Sequence, residues 1–140
     1  MSMIVDITPD SGFLRVHVAG DFSLNEANDM IVHTFKALTR QRLQKVLVDC
    51  RQLKGNPTTI ERFMHADFIA KQMERVSDTD VSRSTRFVYV GTEPLIDKQH
   101  FGETVAVNRG IIAKVTNSME GALRWLEIDP ANKTISSKKK

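Results

Sequence analysis

The sequence predicts an α/β domain with a mixed, mostly parallel sheet, in the order β-β-α-β-α-β-α-β-α. Three observations carry this expectation. Short apolar runs, Val46-Leu47-Val48 and Phe87-Val88-Tyr89-Val90, alternate with longer segments of helical periodicity. Each helical segment opens on a capping spacing or a proline. Two alternating segments at the N-terminus are separated only by Pro9-Asp10-Ser11-Gly12, the signature of an antiparallel hairpin. The 140 residues suit one domain, read as residues 1–128.

The elements follow in order. Met3 to Thr8 and Phe13 to Ala19 alternate as strands. Gly20-Asp21-Phe22 ends the second strand, and Ser23 with Glu26 has the spacing of a capping box. Leu24, Ala27, Ile31, Phe35 and Leu38 then mark one helical face, ending near Arg42. Lys45 to Asp49 reads as a strand covered on both faces, and Arg51 to Pro57 as a loop. Thr58 and Glu61 form a second box, opening a helix that runs to about Val76.

The polar stretch Ser77 to Arg86 reads as a loop before the strand Phe87 to Val90. Pro94 opens a helix to roughly Val107, although Gly102 weakens it. Ile111 to Val115 is the last strand, and Asn117 with Glu120 repeats the capping spacing. Met119, Ala122, Leu123 and Leu126 supply the last helix's inner face. Residues 129–140 read as a disordered basic tail.

Charge argues against nucleic acid. Lys138, Lys139 and Lys140 account for the net +3, and without them 17 basic residues face 17 acidic ones. A nucleic-acid binder shows a basic stripe on its folded surface instead. Cys50 is the only cysteine, which suits a reducing compartment. No apolar run has the length of a membrane span or the form of a signal peptide. A cytoplasmic location is the expectation.

No chemical constellation stands out. There is no glycine-rich phosphate loop and no Gly-x-Ser-x-Gly elbow, so neither a cofactor nor a catalytic residue is expected. His17, His33, His65 and His100 lie on separate elements, which implies no metal site. His17 alternates with apolar neighbours as a structural residue of a sheet face. Cys50 has no base placed by sequence and reads as a buried, inert thiol.

Ligand and partner sites in open α/β sheets lie beyond the carboxyl ends of the strands. That rule selects residues 20–23, 49–59, 91–93 and 116–118, expected to share one rim. Its binding candidates are Asp21, Ser23, Asp49, Arg51, Asn56, Thr58 and Thr59.

Val18-Ala19-Gly20-Asp21-Phe22-Ser23-Leu24-Asn25-Glu26-Ala27 resembles the opening of STAS domains, the anti-sigma-factor antagonist family. Val46-Leu47-Val48-Asp49-Cys50-Arg51-Gln52-Leu53 is similar to that family's central strand, and Ala122-Leu123-Arg124-Trp125-Leu126 to the final helix of the SpoIIAA-like group. The resemblance spans most of residues 12–127. It implies a SpoIIAA-like fold and a non-enzymatic regulatory or protein-interaction module with a protein partner. In STAS regulators a serine opening the helix after the central strand is phosphorylated, usually within Asp-Ser. Here Pro57 and Thr58 hold those positions. A phosphate on Thr58 would sit at a helix N-terminus, where free amides favour an anion. The capping spacing by itself also accounts for Thr58.

The second helix carries Ile60, Phe63, Met64, Phe68, Ile69 and Met73, spread wider than one narrow stripe. Most are expected in the core, with Ile69 and Met73 turned toward a partner. An adaptable Met- and Phe-rich surface also allows a homodimer or a small apolar or lipid ligand. The resemblance of SpoIIAA-like domains to CRAL-TRIO lipid carriers points the same way. A carrier would need an apolar pocket of ~300 Å³ or more.

Overall fold

The structure is a computed structural model that describes residues 2–75 and 85–128. Its elements are β1 (Met3–Pro9), β2 (Leu14–Asp21), α1 (Leu24–Gln41), β3 (Lys45–Lys54) and α2 (Thr59–Arg75). There follow β4 (Arg86–Val90), α3 (Phe101–Asn108), β5 (Ile112–Thr116) and α4 (Met119–Trp125). The order is the one expected from the sequence. The five strands form one sheet in the order β1-β2-β3-β4-β5. β1 pairs antiparallel with β2, and every later pair is parallel.

Strand parity divides the core in two. Leu14, Val16 and Val18 of β2, Val46, Val48 and Cys50 of β3 and Phe87 of β4 point to the face covered by α1, α2 and α3. Leu47, Val88 and Val90 point the other way, onto Ala122 and Leu123 of α4 and Leu126 beyond it. β3 and β4 are therefore buried on both faces, which is why their sequences run apolar without alternation. α1 is capped at both ends. Ser23 accepts from the Glu26 amide, and Arg42 takes the left-handed conformation, its N–H reaching the Leu38 and Thr39 carbonyls.

Four expectations change. β3 runs to Lys54 rather than ending at Asp49, because Ala19, Gly20 and Asp21 of β2 supply ladder partners for Gln52, Leu53 and Lys54. A bulge opposite Val18 inserts one residue, so Leu53 faces the same core as Cys50. The helix expected from Pro94 begins only at Phe101. The Asp97 carboxylate accepts the Phe101 amide at 3.0 Å, while Arg62 takes the carbonyls of Pro94 and Leu95. The last helix is capped by Ser118, which accepts from Gly121 at 2.9 Å, rather than by Asn117.

The fourth change concerns α2. Ile69 is 5% exposed and Met73 packs against the core, whereas Ile60, Phe63 and Met64 are 65%, 37% and 48% exposed. The helix turns its Arg62–His65–Ala66–Ile69–Met73 stripe inward. Arg62 and His65 can face inward because each finds hydrogen-bond partners there, so their burial leaves no polar group unsatisfied. Residues 77–84 of the expected loop and the expected tail 129–140 lie outside the described residues.

Candidate functional site

The parallel strands deliver their carboxyl ends to one edge of the sheet. The Phe22 amide donates to the Lys54 carbonyl at 2.8 Å, and the Gly91 amide to the Thr116 carbonyl at 3.0 Å. These bonds stitch the ends of β2 to β3 and of β4 to β5. At Gly55, φ is +142° and an added Cβ would lie 2.9 Å from the Phe22 Cβ, so glycine lets the two loops touch.

The β3–α2 connection forms the centre of this rim. The Thr58 amide donates to Glu61 Oε1 at 2.9 Å, and the Glu61 amide donates to Thr58 Oγ1 at 3.1 Å. Both halves of the capping box are made. At Ser23 only half is made, because Glu26 reaches the Met3 amide instead. Asn56 accepts from Arg62 Nη2 at 3.4 Å. Asp21, Asn56, Thr58 and Thr59 are all exposed at this edge, and Ser23 is half-buried beside them.

Asp49 and Arg51 do not join the rim. Asp49 lies within β3, opposite His17, with its side chain on the α4 side of the sheet. It is buried, and Arg51 grips it with Nε to Oδ1 and Nη2 to Oδ2, both 2.9 Å. Burial alone would raise the Asp49 pKa. The Arg51 hydrogen bonds and charge, with His17 nearby, outweigh it and hold the carboxyl below its ordinary value. The continued pairing of β3 as far as Lys54 removes this pair from the loop where the sequence had placed it.

One cluster was not among the residues selected from the sequence. His65 Nδ1 lies 2.9 Å from Asn28 Oδ1, and Nε2 lies 2.9 Å from the Tyr89 hydroxyl. An amide oxygen only accepts, so Nδ1 carries the proton and Nε2 accepts from Tyr89. Desolvation pushes the imidazole down to about 4, fixing it neutral, and raises the Tyr89 phenol. The inward stripe of α2 could have pointed to His65, but Phe63 and Met64 outweighed it in hydrophobicity.

Cys50 is buried between the layers, and burial pushes its thiol up to about 12. The thiolate that would attack or ligate is thereby suppressed. Among the described residues, no group of three or more His, Cys, Asp or Glu side chains is placed to hold a metal ion. No described helix is long and apolar enough to cross a membrane.

An apolar cavity of about 120 Å³ lies between the sheet and α2. Its volume falls well short of the ~300 Å³ set for a lipid or drug-sized ligand.

No protein-family model and no curated protein sequence matches the chain. Solved structures do. The chain is similar to an anti-sigma factor antagonist from Mycobacterium paratuberculosis, with a TM-score of 0.59 and 13% identity over 89% of this chain and 94% of that one. It is also similar to an uncharacterized protein with a SpoIIAA-like fold from Shewanella loihica, with a TM-score of 0.50 and 18% identity over 89% of this chain and 93% of that one. Strand order, the N-terminal hairpin and these likenesses agree: the chain has the SpoIIAA-like α/β fold of anti-sigma-factor antagonists.

Proposed function

We propose that this protein is a non-enzymatic regulatory module that docks another protein through the N-terminal end of α2. The carrying observation is the continuous exposure of Thr58, Thr59 and Ile60, with Phe63 and Met64 one turn further on. Ile60, Phe63 and Met64 stand at i, i+3 and i+4, so they share one outer face of the helix. Exposed apolar side chains grouped beside a polar rim mark interaction surfaces. The anti-sigma factor antagonist among the structural neighbours supports a regulatory protein-binding role. The buried, protonated Cys50 thiol argues against a cysteine nucleophile.

Thr58 is the gate in this reading. Its hydroxyl is exposed at a helix N-terminus, and a phosphoryl group there would add up to about two negative charges to the surface. The partner itself would be bound by Ile60 and Met64.

The test is a pull-down from source lysate, with intact mass on the recovered protein. Wild type should capture a partner that an Ile60→Asp/Met64→Asp double variant loses while unfolding as wild type does. Thr58→Glu should alter the amount captured. A partner held equally by wild type and the double variant would place the docking surface elsewhere.

A further inference from the structure

We infer that the cavity beneath α2 is a binding site for a small uncharged molecule of one ring that carries a hydroxyl donor, such as a simple phenol. Size sets the first limit. The cavity holds about 120 Å³. An apolar cavity of ~150 Å³ accommodates benzene and stays dry, so a single six-membered ring is the scale.

The walls set the second limit. Val18, Met30, Cys50, Ile69 and Phe87 contribute apolar surface, and the Cys50 thiol is held protonated. Of the charged groups at the margin, Lys114 is exposed, while Arg62, Asp97 and Glu103 are already engaged. Arg62 donates to the Leu95 carbonyl at 2.7 Å, Asp97 accepts the Phe101 amide, and Glu103 accepts the Val115 amide at 2.7 Å. A charged ligand would lose its hydration without a free counter-charge among these three.

The third limit is the His65–Tyr89 pair, which also lines the cavity. Asn28 fixes the proton on Nδ1, so Tyr89 spends its own proton on Nε2. The Tyr89 oxygen keeps acceptor capacity and has no proton left to donate. A ligand hydroxyl can therefore donate to it, whereas a carbonyl or ether cannot be served.

α2 supports the assignment. Its Arg62, His65 and Ile69 side chains line the cavity from above the sheet. The site is distinct from the docking face, since Ile60 and Met64 do not line the cavity.

The full chain would be titrated with phenol and with toluene, following amide ¹H–¹⁵N shifts. Saturable shifts at Val18, Cys50 and Ile69 are expected, with phenol bound about fivefold more tightly than toluene. Tyr89→Phe combined with His65→Leu, which removes the Tyr89 oxygen and the Nε2 acceptor it would leave bare, should erase that preference. Ala106→Leu should fill the cavity and abolish both titrations. If it does not fold, Cys50→Leu fills the space from the sheet side. Absence of saturable shifts in the wild type, equal affinity for phenol and toluene, or unchanged binding in a folded, filled variant would each overturn the site.

Discussion

The Tyr89 hydroxyl donates to His65 Nε2 across 2.9 Å, tying the middle of α2 to β4. Asn28 of α1 completes the chain through Nδ1. Two helices and the sheet beneath them thus share a neutral imidazole. Its protonation would remove the acceptor that Tyr89 uses and place a charge among apolar neighbours.

Stability should therefore fall on mild acidification. The unfolded imidazole titrates near 6.5 and the folded one near 4. Below 6.5 the unfolded chain binds more protons than the folded one, so stability is complete above that pH and declines toward 4. The loss should approach about 3 kcal/mol. Urea denaturation at pH 7.5, 5.5 and 4.5 measures it, and His65→Gln should flatten the slope over this window.

Removing the Thr58 cap should cost about 1 kcal/mol. Thr58→Ala strips the oxygen that accepts the Glu61 amide, while Thr58→Asp restores an acceptor and adds a favourable charge at the helix start. Chemical denaturation should rank Thr58→Asp with wild type and Thr58→Ala below both. Equal stability of all three would mean that the box contributes nothing.

Arg51 and Asp49 should behave asymmetrically. Arg51→Ala leaves a buried carboxylate short of its bidentate partner and should cost about 1–3 kcal/mol. Asp49→Asn leaves a half-exposed guanidinium that water can serve, and should cost less. Because the folded Asp49 pKa is depressed, its contribution is present above the unfolded value of 3.8 and is lost as pH falls through the folded one. NMR titration of the Asp49 carboxyl should show it rising in Arg51→Ala.

Two glycines should respond oppositely to alanine. At Gly20, φ is +94° and a new Cβ would stand 2.3 Å from the Ser2 carbonyl oxygen, so Gly20→Ala should lose about 1–3 kcal/mol. Gly102 lies within α3 with nothing within 4 Å of its added Cβ. Gly102→Ala should gain about 0.5–1 kcal/mol in helix propensity. Thermal unfolding of the two variants should shift in opposite directions.

The amino-acid sequence alone determined the element order, the antiparallel hairpin and both faces of the central strands. These are local or periodic properties: apolar runs, turn residues and capping spacings act within a few residues of one another. The rim residues Asp21, Ser23, Asn56, Thr58 and Thr59 were legible for the same reason, since chain order in β-α units dictates where strand ends gather. Only the tertiary structure decided which face of α2 turns inward, where β3 ends, and that His65 meets Tyr89 and Asn28. Each depends on partners distant in the chain. Ladder bonds from β2 extend β3, and hydrogen bonds from remote carbonyls and side chains offset the cost of burying Arg62 and His65, leaving Phe63 and Met64 outside.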